Sequence, residues 1–302
     1  MKSLGIIIPA HNEKSNILNL IKKINNIEIK NYNLKILIID DGSEDNTFNE
    51  IKKIKSINYI RFSKNFGKES AMLAGLDYFY NKKKVNGVII IDADGQHPPK
   101  YISRMVEKYE EGNDFIQAQR IKEKGLRDTM SIMFGKLIKY FSGLNYENLI
   151  TDFMLIDKKI VRVLLENKSK INFLKLDLLW LGFKSYKIKI KVESRNSGKS
   201  SFNILKLFEL ALFSIIYFSN KPIKYIVYFG SLYTSFNITL LSFMATTEYL
   251  GLLFFKSISY IIVLISLFLG INILISGVLA LYIGIINRQT SNKRSYNIIE
   301  NN

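Results

Sequence analysis

Over residues 1–203, short apolar runs alternate with charged stretches of helical period. LGIIIPA (4–10) reads as a buried strand and SNILNLIKKI (15–24) as an amphipathic helix. LKILIID (34–40) predicts a second strand, TFNEIKKIK (47–55) a helix and INYIRFS (57–63) a third strand. KESAMLAGLDYF (68–79) is again helical, and VNGVIIID (85–92) is a fourth strand. Strand and helix alternating over short links predict an α/β domain, a mostly parallel sheet covered on both faces. Ligands of such sheets sit beyond the carboxyl ends of the strands. The chemistry is therefore expected just after Ile8, Ile39, Phe62 and Ile91.

The pattern changes in the last third. Residues 225–247 and 257–287 hold no charged side chain. About 20 helical residues cross a bilayer, so each run is long enough for one span, the second with room to tilt. Lys and Arg precede the first run, and Arg288, Lys293 and Arg294 follow the second. That bias puts both ends in the cytoplasm and the 248–256 linker, with Glu248 and Lys256, outside. ILKLFELALFSIIYFS (204–219) carries only Lys206 and Glu209 and precedes Pro222. It reads as an interfacial helix, with a core helix as the competing assignment. The first apolar run, Leu4 to Ala10, is too short for a signal peptide. The expected organisation is a catalytic domain over 1–203, an interfacial helix and linker over 204–222, two spans within 223–287 and a cytoplasmic tail over 288–302.

Composition narrows the chemistry. The 302 residues contain no cysteine, which excludes disulfides and thiolate metal sites. Two histidines, His11 and His97, are too few for a multi-histidine zinc site. Any metal is then held mainly by oxygen, which favours Mg²⁺ or Mn²⁺. The net charge of +17 fits nucleic acid, anionic lipid or a phosphate-rich substrate, with compositional bias toward Ile, Asn and Lys as an equally weighted explanation. No nucleic-acid motif accompanies the charge, so nucleic acid is not an expected partner.

The unusual residues cluster where the strands end. Pro9-Ala10-His11-Asn12-Glu13 follows the first strand, and Asp40-Asp41-Gly42-Ser43-Glu44-Asp45-Asn46-Thr47 the second. An acid there can accept hydrogen bonds from a base or ribose, and Asp41 is read in that role. Asp45 and Asn46 are read as helix caps. Asp92-Ala93-Asp94-Gly95-Gln96-His97-Pro98-Pro99 closes the fourth strand. Gly95 releases the backbone, so that Asp92 and Asp94 converge on one hard cation, with Gln96 as another oxygen. His97 is read as a brace for the Pro-Pro turn, and Asp157 as the cap of a helix reading DKKIVRVLL.

IIIPAHNE, IIDDGSEDNT, NFGKESAMLAGL and IIIDADGQHPP, in this order, resemble the family 2 glycosyltransferases with the GT-A (Rossmann-like) fold. The resemblance covers roughly the first two-thirds of the chain, the extent of the alternation. RNSGKSSFNILKLFELALFSIIYFSNKPIKY, followed by two spans, is similar to the polyprenyl-phosphate branch, which includes bactoprenol glucosyltransferases and dolichol-phosphate mannose synthases. The resemblance implies nucleobase contacts at Pro9, His11 and Glu13, with Asp41 reading base and ribose. It implies a metal and diphosphate site at Asp92, Asp94 and Gln96, a donor-phosphate contact at Arg120 and an acid near the sugar at Asp152. Arg195, Lys199 and Ser200 fall on the loop that engages the acceptor phosphate. Two positions depart from the pattern. His11 stands where an aromatic residue is usual, and Met154 where a basic one often follows, with Arg127 placed to supply that charge.

The implied reaction moves a sugar from a nucleotide-sugar donor to a polyprenyl phosphate at the inner membrane, with inversion. The enzyme would be multi-pass, with membrane lipids as partners and a homo-oligomeric state common among such relatives. Asp94, Asp152 and Arg120 are the expected catalytic residues. A phosphate monoester with a second pKa of about 6 is already nucleophilic at neutral pH, so no strong base is needed. The alternatives are transfer to another lipid or growing glycan, and an inactive membrane scaffold of the same fold.

Overall fold

The computed structural model describes residues 1–121, 149–166, 174–193 and 296–302 continuously, with scattered residues between 132 and 140 and between 221 and 286. Strands β1 (Lys2–Ala10), β2 (Tyr32–Asp40), β3 (Asn58–Phe62) and β4 (Gly87–Ile90) alternate with helices α1 (Ile17–Asn25), α2 (Thr47–Lys52) and α3 (Lys68–Asn81). Helix α4 (Tyr101–Glu110) and strands β5 (Phe115–Arg120) and β6 (Ile150–Asp157) follow. Helices α5 (Lys158–Glu166) and α6 (Leu174–Trp180) then lead to β7 (Ser185–Ile190), and β8 is Ile298–Asn301. The chain divides into two compact units, one of Met1–Lys136, Leu144–Phe202 and Asn292–Asn302, the other of Leu137–Gly143 and Asn203–Ser291.

The first unit is built on an eight-stranded sheet in the order β7-β5-β6-β4-β1-β2-β3-β8. Continuous runs such as GIII in β1 and ILII in β2 are apolar on every residue, because helices cover both sheet faces. Leu4, Ile6 and Ile8 pack on one side with Ile17, Leu20 and Ile24 of α1 and Ile102 of α4. Ile7 points to the other side, among Ala71, Met72, Leu76 and Phe79 of α3. Each fully buried isoleucine contributes about 1.5–3 kcal/mol of transfer free energy.

The strand order locates the ligand crevice. From β1 the chain winds outward through β2 and β3, then returns with β4 on the opposite side of β1. The β1–β4 ladder ends at Ile7↔Ile90, whereas β1–β2 continues to Ala10↔Asp40. The two central strands therefore part at their carboxyl ends, at the topological switch point where such sheets bind ligands. Pro9, with no N–H to give, lies beyond the last β4 partner.

Two strands run against the parallel majority. β6 is antiparallel to both β4 and β5, so its first residues lie beside the last residues of β4. β8, in the segment expected to be a tail, pairs antiparallel with the outer edge of β3. The rest of the observed sheet keeps the parallel pairing that the alternation predicts. Arg127, Arg195, Lys199, Ser200 and the segment 204–219 lie outside the described residues. Only scattered positions of the two charge-free runs are described. Among the described residues, no helix is long and apolar enough to cross a membrane.

Helix α3 lies close to the sheet because Gly75 allows it. A Cβ there would stand 2.7 Å from Ile7 side-chain atoms. Gly75→Val should overpack this contact and cost about 1–3 kcal/mol. Denaturant unfolding of the purified protein measures it, and wild-type stability would show that α3 can move away freely.

Candidate active site

Four loops lie at the carboxyl end of the sheet, and those after β1 and β2 are tied by side chains from each. Asn12, in the left-handed region at φ 56°, donates its backbone N–H to Ser43 Oγ at 3.0 Å. Its side-chain oxygen accepts from the Glu44 and Asp45 amides at 2.9 and 3.3 Å. Thr47 Oγ1 accepts from the Glu13 amide at 2.9 Å. Asp45 acts as the cap expected of it, accepting the Thr47 amide at 2.9 Å, while Asn46 at the formal cap position makes no side-chain capping bond. The loops after β1 and β2 are thus one hydrogen-bonded unit.

His11 Nδ1 lies 2.9 Å from the Asp41 carbonyl oxygen. A carbonyl can only accept, so Nδ1 carries the proton and the ring is held in one orientation. Glu13 is turned toward its own helix, where its carboxylate accepts from Asn16 Nδ2 at 2.6 Å. Asp41 is buried, and its two oxygens accept the Phe66 and Gly67 amides at 2.7 and 2.9 Å. Burial pushes its carboxyl above the usual range, against the pull of those two donors. The loop after β3 therefore closes onto the loop after β2. Gly42 makes the approach possible, because at φ 64° a Cβ would stand 2.3 Å from the Lys64 backbone.

The loop after β4 brings Asp92, Asp94 and His97 together, with a potential ligand atom from each within 4.8 Å of the others. Asp94 Oδ1 accepts the Gln96 amide at 3.1 Å, which the left-handed Gly95 allows. Gln96 is also tied through its backbone carbonyl, which accepts the Glu193 amide at 2.9 Å. His97 is buried against Phe153, with ring centroids 5.8 Å apart, and its Nδ1 has no hydrogen-bond partner. Burial holds its pKa below the ordinary value, so it is neutral at pH 7 and its 3.6 Å approach to Asp92 is no salt bridge. Two hard carboxylates and a neutral imidazole fit Mg²⁺ or Mn²⁺. The histidine read as a brace is thus also a candidate ligand.

Beside this cluster lies a charged network. Because β6 runs antiparallel to β4, Asp152 near its start comes next to Asp92. Lys68, the first residue of α3, bridges the two acids, 2.5 Å from Asp92 Oδ1 and in direct contact with Asp152 Oδ2. Lys175 of α6 holds the other Asp152 oxygen at 2.7 Å. The site is buried, which alone would raise the Asp152 pKa, but the two lysines bring it far below the ordinary range. Glu69 accepts the Leu174 amide at 3.2 Å, joining the starts of α3 and α6. Its burial and the Asp152 charge push its pKa up to about 7.

Arg120 ends β5 and is half-buried. Asp157 caps α5 as expected, accepting the Lys159 amide at 2.7 Å, and also accepts from the Tyr109 hydroxyl at 2.6 Å. Lys68, Glu69 and Lys175 had no assigned role in the sequence reading. The signal for Lys68 was its place at a helix start directly after a strand end. Nothing local marks Lys175, which reaches the site only through the packing of α6.

The Glu69 carboxyl gives a pH signature. Its pKa is near 7 when folded and 4.5 ordinarily. Between these values the folded chain keeps a proton that the unfolded chain has released, so stability falls as pH rises through this window. Glu69→Gln should remove on the order of 2–3 kcal/mol of that fall, since the neutral amide stays an acceptor for Leu174. Denaturant unfolding at pH 5 and pH 8 tests this, and an unchanged pH dependence would refute the assignment.

Comparison with known proteins agrees with this geometry. Glycosyl transferase family 2 matches residues 5–165. The putative glycosyltransferase CsbB of Bacillus subtilis (strain 168) is 32% identical over 99% of this chain and 92% of its own length. The bactoprenol glucosyl transferase of Shigella phage SfV is 30% identical over 99% of this chain and 98% of its own. In fold, the chain is similar to glucosyl-3-phosphoglycerate synthase from Mycobacterium tuberculosis, solved with Mn²⁺, uridine diphosphate and phosphoglyceric acid. The TM-score is 0.53 at 18% identity, covering 71% of this chain and 76% of that one. At that identity the likeness concerns the GT-A fold. With four strand-end loops gathered at the switch point and the family match running through them, this chain belongs to glycosyl transferase family 2 and is a glycosyltransferase.

Proposed function

We propose that the protein transfers a sugar from a nucleotide-sugar donor to a polyprenyl phosphate at a membrane, using Mg²⁺ or Mn²⁺. The observation that carries the reading is the Asp92–Asp94–His97 cluster at the switch point, flanked by the Lys68–Asp152–Lys175 network. Asp41 and His11 border the nucleotide's side of the crevice, and Asp92 and Asp94 face its diphosphate. A cation on Asp92, Asp94 and His97, with Gln96 beside them, would supply Lewis-acid charge to the leaving nucleoside diphosphate. Arg120 is assigned to the same phosphates. The bound uridine diphosphate and Mn²⁺ of the mycobacterial synthase support a UDP-linked donor.

The state of Asp152 supports this acceptor. A carboxylate held by two ammonium groups stays ionised but is a poor proton acceptor. Its role is to position the sugar and the lysines. A nucleophile that carries its own charge, as a phosphate monoester does at pH 7, needs no base from Asp152. The phage relative's name, bactoprenol glucosyl transferase, supports a polyprenyl carrier. Arg195, Lys199 and Ser200, just before the apolar segment, are assigned to its phosphate, with Arg127.

Two features support a membrane setting. The runs 225–247 and 257–287 carry no charge. Ile261, Ile265 and Phe268, at helical spacing, are 52%, 53% and 59% exposed, and Leu279, Ile283 and Ile286 repeat the pattern at 56%, 65% and 56%. Such stripes favour lipid over water. β8 pairs within the same sheet as β1–β7, so a membrane region between them crosses an even number of times, as two spans do.

Asp94→Ala should lower transfer by roughly a hundredfold or more, with fold and insertion intact, because it removes a cation ligand. Chelation should act likewise and reverse on adding metal. The assay offers UDP- and GDP-sugars with short polyprenyl phosphates and identifies the lipid product by mass. Full activity in excess chelator would sink the metal assignment, and a product on another acceptor would sink the polyprenyl one.

A further inference from the structure

The C-terminal segment reaches the candidate nucleotide site through a continuous chain of contacts. Tyr296 stacks on Phe62, with centroids 5.0 Å apart and planes 13° from parallel. Phe62, fully buried at the end of β3, meets Phe66 edge-on at 5.8 Å. Asn297 adds a backbone bond by accepting the Ser63 amide at 3.0 Å. These contacts grip both ends of residues 63–66. That short loop lies directly on Gly42, and its exit gives the Phe66 and Gly67 amides to Asp41. The next residue is Lys68, which spans Asp92 and Asp152.

The remainder of the segment is anchored away from the site. Glu300 pairs with Lys52 at 2.5 Å and accepts the Tyr59 hydroxyl at 3.2 Å. Asn302 Oδ1 accepts the Tyr59 amide at 2.7 Å. The strand is therefore held at its far end by polar contacts and presses on the loop at its near end with an aromatic ring. A surface strand that merely covered the β3 edge would need no ring stacked against a fully buried one.

We propose that the C-terminal strand is a positioning element for the nucleotide site, with Tyr296 setting the loop 63–67 that orients Asp41. Tyr296 acts through Phe62, Phe66 and the two amides. The inference rests on the crevice being a nucleoside-diphosphate site.

The test uses the full chain and UDP with Mn²⁺ as probe, read by calorimetry beside transfer kinetics. Tyr296→Ala should weaken UDP binding about five- to tenfold and raise the donor KM similarly, with kcat within about twofold. Tyr296→Phe keeps the stacking ring and should bind as the wild type does. Glu300→Ala should shift UDP binding less than about twofold while lowering the unfolding temperature, which separates lost positioning from lost stability. Equal UDP affinity in Tyr296→Ala and wild type would overturn the proposal, as would a loss that the Phe variant shares or that Glu300→Ala reproduces. Should Tyr296→Ala not fold, Tyr296→Leu supplies the same comparison, because it fills the space without a flat ring. A wild-type chain that binds no UDP or GDP would instead overturn the nucleotide-site reading itself.

Discussion

Two carboxylates, Asp92 and Asp152, face each other across neighbouring strands with one ammonium group between them. Unscreened, like charges at about 4 Å repel by roughly 4 kcal/mol at an effective dielectric of 20. The antiparallel placement of β6 creates the conflict and Lys68 at the head of α3 resolves it. Much of the site's geometry answers to that constraint. Helix α3 must begin where Lys68 can reach both acids. Helix α6 must bring Lys175 to the remaining oxygen of Asp152, and Glu69 fastens the two helix starts together.

The same constraint shapes the chemistry. A carboxylate neutralised from two sides is a fixed part of the electrostatic field and not a mobile base. The anionic site has two parts that meet at Asp92, one with Asp94 and His97 and one with Lys68 and Asp152. Asp92 belongs to both halves and couples them. Anything that binds at Asp92 competes with or rearranges the lysine, so occupancy of Asp92 is linked to the packing of α3. Backbone donors carry much of the organisation elsewhere: the Phe66 and Gly67 amides on Asp41, and the Gln96 amide on Asp94. Such donors cost little to reorganise during reaction, since the loops that carry them are already closed.

The aliphatic core explains why these loops can be so closely tied. β1 and β2 are apolar on both faces and share a nine-residue register, which fixes where the loops at their ends begin. The loops then need only short polar contacts: Asn12 with Ser43, Glu13 with Thr47, Gly42 against Lys64. β8 extends the same sheet on its far edge and removes an unpaired strand edge that would otherwise be exposed.

The amino-acid sequence by itself determined the βα alternation from residue 4 to residue 92, because apolar runs and helical spacing are local signals. It also placed Asp41, Asp92 and Asp94 at strand ends, where a parallel sheet presents its ligands. Capping by Asp45 and Asp157 was legible for the same reason, as a cap is read within three residues. Tertiary structure decided the rest. Only the reversed direction of β6 brings Asp152 to Asp92, and no local pattern encodes strand direction. Lys175 enters from a helix more than a hundred residues after Lys68, so their shared partner is a matter of packing. The role of His97 depends on where the Pro-Pro turn aims its ring. The strand at 298–301 pairs across more than two hundred residues, and a four-residue polar-apolar stretch carries no periodicity from which that pairing could be read.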